Sequence, residues 1–206
     1  MSVLPQTAWA YALRGAVTAA LLVVGVFLLR RGKSASPPIV SGSQRGRDTL
    51  VASVKGLLPG LLVGLLVFVA WIAPEGWVWS VDAFHQPPIA NHQSPYHPQV
   101  CGWALTLAKL AASAFVISVA EELFFRKWLV EFAGFGWMLV LFGVEHMRWD
   151  LGVARGSVFI AEGVFAGLCY GLLAKKYGIV SAIVAHAVTN LVLGLYVIRF
   201  DKWFYW

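Results

Sequence analysis

Apolar residues along the chain fall into long runs that short polar segments separate. Six of these runs approach the roughly 20 residues that an α-helix needs to cross a bilayer. They lie near 8–29, 54–73, 103–131, 136–152, 157–174 and 178–198. The run at 136–152 is the weakest, because Arg148 and Asp150 lie near its end. Since backbone groups in lipid must be paired within their own helix, the pattern predicts an all-α polytopic membrane helix bundle with about six transmembrane helices.

Composition supports a membrane protein. Apolar residues make up 59% of the 206 residues and charged residues 13%, whereas soluble domains carry about 25% charged residues. A chain of this length is expected to form one domain, residues 1–206. The net charge of +6 does not indicate nucleic acid, because no basic patch interleaved with aromatic residues is present. Cys101 and Cys169 lie in or near apolar helices, so no disulfide is expected.

Two polar segments in the N-terminal half, residues 1–100, predict its orientation around two spans. The segment 30–55 holds six Lys or Arg residues against one Asp and the Pro37-Pro38 pair, which predicts a flexible cytoplasmic linker. The segment 74–100 holds no Lys or Arg but five prolines, three histidines and tryptophans, which predicts an external loop. Its His85, His92 and His97 are expected at the surface. The first span is expected to be a retained anchor, because its positive charges follow the apolar run.

Small residues at a four-residue period mark the predicted span at 157–174. Gly163, Gly167 and Gly171 predict a close contact with another helix, since small residues allow helices to approach in lipid. Glu162 in the same span is expected to pair with Arg155 or Arg148, because buried charges usually find a partner.

The segment 120–126, Ala-Glu-Glu-Leu-Phe-Phe-Arg, is the strongest chemical signal. Each ionised group at the centre of a membrane helix costs roughly 2.5–3.5 kcal/mol. Glu122 and Arg126 are four residues apart and share a helix face, so they are expected to pair. Glu121 is rotated by about 100° from Glu122 and lacks that partner, which suits a general base. The structural alternative is an ion pair with a second Glu that reaches the interface.

Two histidines add to this signal. His146 ends the segment Phe142-Gly-Val-Glu-His, and its structural alternative is a hydrogen-bonded histidine of the bundle interior. His186 and Asn190 are four residues apart in an uncharged span, so an imidazole and an amide share one helix face. Both groups can donate hydrogen bonds to a negative oxygen, or they can bond across helices as packing contacts.

Taken in order, the three motifs resemble one family. Glu-Glu-x-x-x-Arg, then Phe-x-x-x-His, then His-x-x-x-Asn, on successive spans over roughly residues 104–200, is similar to the CPBP intramembrane proteases, which include the type II CAAX prenyl endopeptidases. The stretch from His146 to Trp149 and the aromatic C-terminus resemble a branch that accompanies bacterial exosortase and C-terminal sorting systems.

This resemblance implies a role for each site residue. Glu121 with His146 would activate a water, and His186 with Asn190 would stabilise the tetrahedral oxyanion. Glu122 with Arg126 would hold the first helix of the site in place. No cofactor is expected, although two carboxylates and two imidazoles also suit zinc.

The sequence therefore predicts an intramembrane endopeptidase of the bacterial inner membrane, with residues 101–206 as its catalytic helix bundle. Its partners are expected to be the lipid bilayer and a membrane-anchored protein or peptide substrate, without nucleic acid. A non-catalytic scaffold or immunity-type partner on the same fold is the main alternative. A proton-coupled transporter is less favoured, because the chain shows no internal repeat.

The motifs also predict a geometry. Turns at 131–136, with Gly134 and Gly136 as helix breakers, and at 175–178 would place Glu121, His146 and His186 each about 12–15 Å from the same face, at 1.5 Å per residue. The three side chains are therefore expected to line one cavity, with Glu121 and His146 about 3–6 Å apart. This cavity is expected to open at the cytoplasmic face, where the turns lie.

Overall fold

The computed structural model describes residues 42–76, 94–148 and 152–206. Within these ranges all regular structure is helical, which confirms the predicted all-α architecture. The five main helices are α1 (Gly42–Ile72), α2 (Pro98–Ala133), α3 (Phe135–Glu145), α4 (Gly152–Tyr177) and α5 (Ile179–Phe200). Short 3-10 turns at Ala73–Gly76 and Trp203–Tyr205 follow α1 and α5.

Four of the described helices are long and apolar enough to cross a membrane. They are Val54–Glu75, Pro98–Ala133, Gly156–Tyr177 and Ile179–Phe200. The predicted span at 136–152 is wrong in its length, since α3 has 11 residues and ends at Glu145. In a continued helix, the backbone N–H of His146 would donate to the Phe142 carbonyl. The ring Nδ1 of His146 lies 2.7 Å from that carbonyl, and the backbone N–H bonds to the Gly143 carbonyl instead. The predicted span at 8–29 lies outside the described residues, and the count of six is not confirmed.

The predicted flexible linker at 30–55 is partly helical. Helix α1 already begins at Gly42, so residues 42–55 continue the second span instead of forming a loop. Residues 49–54 already carry the apolar character of that span, and extending an existing helix costs far less than starting one. The remainder of the predicted linker, 30–41, lies outside the described residues.

Glycine stripes bring two pairs of helices into close contact. A Cβ on Gly167 would lie 3.0 Å from the Phe142 ring, and one on Gly163 would lie 3.0 Å from Gly143 Cα, so α4 packs on α3 as the sequence predicts. A second stripe on α1, which sequence reasoning missed, packs on α5. A Cβ on Gly64 would lie 2.5 Å from the Ala185 carbonyl oxygen, so only glycine permits this approach.

Two glycine turns define one end of the bundle. Gly134 (φ 84°) separates α2 from α3, and Gly178 (φ 90°) separates α4 from α5, in conformations that favour glycine. The predicted break at Gly136 is wrong, because Gly136 lies inside α3. We call the end of the bundle that holds Gly134 and Gly178 the turn end. The opposite aromatic end holds Tyr96, Arg148 and the Trp203–Trp206 segment, where Arg148 donates to the Phe204 carbonyl over 2.7 Å.

His97 is not a surface residue as predicted. Its side chain is 5% exposed, its Nδ1 accepts from the Gln99 N–H at 3.1 Å, and its ring meets Trp203 edge-on at 4.7 Å. Its position before Pro98 makes it the N-cap of α2, which explains the burial. His85 and His92 lie outside the described residues. Cys101 and Cys169 are both free thiols.

Candidate active site

Helix α2 departs from α-helical geometry on both sides of the two glutamates. Ala112–Ile117 and Leu123–Leu129 are π-helical, whereas Ser118–Glu122 is α-helical. Such π segments inside a helix occur frequently at functional sites. Here Glu121 is 6% exposed and Glu122 is fully buried, so both adjacent carboxylates are held inside the bundle.

The predicted ion pair between Glu122 and Arg126 is present. Arg126 Nη1 lies 3.0 Å from Glu122 Oε1, with both side chains almost fully buried. The guanidinium also lies over the Phe142 ring, 3.9 Å from its centroid, and its Nη2 approaches the Gly167 carbonyl at 3.5 Å. The charge of Arg126 is therefore neutralised by one carboxylate and covered by an aromatic face.

His186 lies between the two carboxylates. Its Nδ1 is 2.9 Å from Glu122 Oε1, and its Nε2 is 3.8 Å from Glu121 Oε2. Because an ionised carboxylate only accepts, we assign a proton to Nδ1. The side chains of His186 and Glu121 are therefore in direct proximity.

His146 is oriented by the backbone of its own helix. Its Nδ1 lies 2.7 Å from the Phe142 carbonyl oxygen, which can only accept, so the proton is assigned to Nδ1. The Nε2 atom of the neutral ring is then an acceptor, as a proton-abstracting group requires. The ring also meets Trp71 edge-on at 5.4 Å.

Asn190 joins α5 to α2. Its Nδ2 donates to the Ser113 carbonyl at 3.0 Å and to Ser118 Oγ at 3.1 Å. The two hydrogens of the side-chain amide are thus both engaged by α2. An oxyanion would have to replace one of these acceptors.

One cavity of about 290 Å³ connects the predicted residues. As expected, its lining includes Glu121, His146, His186 and Asn190. The ion pair of Glu122 and Arg126 lies outside this lining. The other walls of the cavity come mainly from aromatic side chains and two cations. They are Trp71, Tyr96, Phe142, Phe159, Tyr170, Tyr205, Trp206, Lys109 and Arg148.

The cavity does not extend to the turn end, where its opening is predicted. In the described part of the chain, the lining runs from the two histidines toward Tyr96, Arg148 and Trp206 at the aromatic end. The turn end holds buried side chains instead, which include Phe125, Leu129, Met138, Leu173 and Ala182. Buried side chains of this kind pack closely in protein interiors.

Three polar contacts of the site were missed by sequence reasoning. Tyr170 stacks on His186 with 5.0 Å between ring centroids, and its hydroxyl donates to Thr189 Oγ1 at 2.7 Å. Thr189 Oγ1 in turn lies 2.9 Å from the Gly64 carbonyl. Tyr170 precedes Gly171 of the recognised glycine stripe, and Thr189 lies within the His186–Asn190 motif. Their places next to these motifs were the only sequence features that pointed to the two residues.

Glu162 lies apart from this cavity. It lines a second, mostly apolar cavity of about 330 Å³ with Trp71 and Phe165. Among the described residues it forms no ion pair with Arg148, and its Oε2 has no hydrogen-bond partner. The side chain of Arg155, its other expected partner, lies outside the described residues.

The zinc alternative depends on how the carboxylates and imidazoles are arranged. Within the described ranges, no group of three or more His, Cys, Asp or Glu side chains is arranged to hold a metal ion. Glu122 Oε1 contacts both Arg126 and His186 Nδ1, so this oxygen is engaged within the protein.

Apolar spanning helices around a buried polar cavity define an integral membrane protein with a functional site inside its bundle. Residues 103–192 match the family model of the Rce1-like type II CAAX prenyl endopeptidases, so this part of the chain is similar to that family. The match contains Glu121, Glu122, Arg126, His146, His186 and Asn190. No curated protein and no solved structure matches the chain. The family indicates a protease that works in the membrane.

Proposed function

We propose that this protein hydrolyses a peptide bond of a membrane-anchored protein inside the bilayer. The main observation in support is that Glu121, His146 and His186 line one cavity in an apolar bundle. At about 30 Å³ per water molecule, its volume of about 290 Å³ accommodates a short peptide segment together with the attacking water. The similarity to the Rce1-like endopeptidases supports peptide hydrolysis over transport or a purely structural role.

Water activation is assigned to Glu121 and His146. The Glu121 carboxylate is an acceptor for a water proton, and the Nε2 of His146 is an acceptor in the tautomer that the Phe142 carbonyl selects. Neither group has to move out of the cavity wall to reach a water inside it. Two acceptors on one water raise its nucleophilicity, and such proton transfer typically contributes about 10²–10⁴-fold.

Stabilisation of the oxyanion is assigned to His186 and Asn190. Asn190 donates to the Ser113 carbonyl in the absence of substrate, and an oxyanion is a stronger acceptor than a carbonyl oxygen. One amide hydrogen then turns from Ser113 to the substrate. Nδ1 of His186 stays on Glu122, and Nε2 donates after it receives the water proton from Glu121, whose Oε2 lies 3.8 Å away.

Glu122 and Arg126 act as positioning residues. Glu122 Oε1 holds His186 Nδ1 at 2.9 Å and Arg126 Nη1 at 3.0 Å. Arg126 in turn covers Phe142, whose carbonyl orients His146. A single buried ion pair therefore fixes both imidazoles relative to Glu121.

The proposed setting is the bacterial inner membrane, and the proposed substrate is the anchor segment of a sorted protein. The aromatic and cationic residues at the end of α3 and after α5, which resemble the branch that accompanies C-terminal sorting systems, support this assignment. The bilayer and the substrate anchor are its proposed partners, and nucleic acid is not among them.

Co-expression with candidate membrane-anchored proteins encoded nearby tests the proposal. We expect a truncated product with the wild type and none with Glu121→Gln. The matched control is Glu131→Gln, which changes an exposed carboxylate on the same helix and should cleave normally. Cleavage by Glu121→Gln at the wild-type rate would refute the mechanism. Stable co-purification of a partner that is never cleaved would favour the scaffold instead.

A further inference from the structure

The cavity described above lies in one half of the bundle. On α2 its lining residues run from Lys109 to Glu121, and on α5 from His186 to Leu193. On α1 the lining residue is Trp71, close to the end of the span Val54–Glu75. Helices α2 and α5 thus contribute residues from their middle and from the part nearer the aromatic end, and α1 contributes only from that end.

The other half of the bundle is closed. Phe125 and Met138 are each 3% exposed or less, and Ala182 is fully buried. The Phe135 ring lies against Gly171, where an added Cβ would be 2.6 Å from it. A peptide or water that entered from the turn end would have to displace this packed layer and the Glu122–Arg126 pair.

Charge identifies which side of the membrane each end faces. The turn end carries the basic residues Lys127, Lys175 and Lys176 and the acidic residue Glu131. The six basic residues of segment 30–55 lie at or before the start of the span Val54–Glu75, which begins near the turn end. The aromatic end carries fewer basic residues, of which Lys202 pairs with Glu75, and the segment 74–100 holds no Lys or Arg. These basic residues are Lys109, Arg148, Arg155, Arg199 and Lys202. An excess of Lys and Arg marks the cytoplasmic side, so the aromatic end faces away from the cytoplasm.

We infer that the peptidase cavity is entered from the extracytoplasmic side. This inference rests on the proposed function and names its substrate class: proteins whose soluble part has already crossed the membrane and that remain held by an anchor. The bond that is cleaved lies in the half of the bilayer away from the cytoplasm. Proteins with both a cytoplasmic soluble part and a cleavage site in the cytoplasmic half are excluded.

Thiol labelling of single-cysteine variants tests the side of entry without any substrate. In a Cys101→Ser, Cys169→Ala background, Ala112→Cys places a thiol in the cavity wall. Lys175→Cys places one at the exposed turn end as the matched control. The probe is a small membrane-impermeant thiosulfonate, added to intact spheroplasts or to inverted membrane vesicles of a bacterial host.

We expect complete labelling of Ala112→Cys in spheroplasts and of Lys175→Cys only in inverted vesicles. Labelling of Ala112→Cys only in inverted vesicles, or from neither side, would overturn the inference. Because labelling needs neither substrate nor catalysis, its failure is distinguishable from a failure of the peptidase assignment, which the Glu121→Gln cleavage assay tests.

Discussion

The turn-end half and the aromatic-end half of this bundle treat buried polar groups in different ways. In the turn-end half, Glu122 and Arg126 neutralise each other at 3.0 Å beneath a tightly packed apolar layer. In the aromatic-end half, Glu121, His146 and Asn190 face a cavity of about 290 Å³. Polar groups in lipid are costly, so a cavity lined by several of them is consistent with the proposed chemistry. Under the proposed function, the adjacent carboxylates differ in role: Glu121 serves chemistry, whereas Glu122 serves architecture.

The largest expected effect is on activity in the cavity half. His146→Ala should lower cleavage by about 10²–10⁴-fold, because it removes an acceptor for the water proton, while the yield of folded protein stays near that of the wild type. Cleavage rates in membranes and the elution profile after detergent extraction measure the two quantities. His97→Ala is the contrasting variant, since it removes a helix cap and should lower stability first. Normal cleavage by His146→Ala would contradict the assignment of chemistry to the aromatic-end half.

In the packed half, substitutions should unfold the protein. Glu122→Ala or Arg126→Ala each leaves a buried charge without its partner, at a cost of about 3–5 kcal/mol. Thermal unfolding in detergent should show both variants melting well below the wild type. The double variant Glu122→Leu, Arg126→Met removes both charges and should melt above either single variant. If both single variants melt like the wild type, the architectural role is wrong.

A smaller effect is expected where α1 meets α5. Gly64→Ala places a Cβ 2.5 Å from the Ala185 carbonyl and should destabilise by about 1–3 kcal/mol, as overpacking does. Gly136→Ala is the matched control, because an added Cβ there meets no atom within 4 Å; it should stabilise α3 by about 0.5–1 kcal/mol. Equal melting temperatures for the two variants would contradict the close helix contact.

The smallest effect is expected from chelation. The proposed activation of water by Glu121 and His146 uses no metal ion. Cleavage after exhaustive treatment with EDTA or 1,10-phenanthroline should therefore stay close to the untreated rate. A loss that added zinc restores would contradict the metal-free water activation by Glu121 and His146.

Local spacing predicted much of this arrangement. The four-residue separation of Glu122 and Arg126 gives their ion pair directly, and the period of Gly163, Gly167 and Gly171 gives the α3–α4 contact. Gly134 marks a turn because its backbone conformation favours glycine. In each case the structural consequence depends on a few neighbouring residues and on helix geometry alone.

Other features depend on contacts between distant segments and were beyond sequence reasoning. The π segments of α2 flank Glu121 and Glu122, and both carboxylates are buried, although a regular amphipathic pattern does not predict that. His186 lies between the two carboxylates because α5 packs on α2, and no spacing within α5 encodes that position. The packed turn end arises from side chains of four helices, so the position of the cavity toward the aromatic end could not be read from any single helix.

The most direct test of the central claim compares purified wild type with Glu121→Gln on one substrate in lipid nanodiscs. The substrate is a membrane-anchored protein that the co-expression assay identifies, and the readouts are the single-turnover cleavage rate and substrate binding. We expect the wild type to cleave one bond, and Glu121→Gln to bind equally well but cleave at least about 10²-fold more slowly, as loss of a general base requires. Equal single-turnover rates for the two proteins would contradict the account.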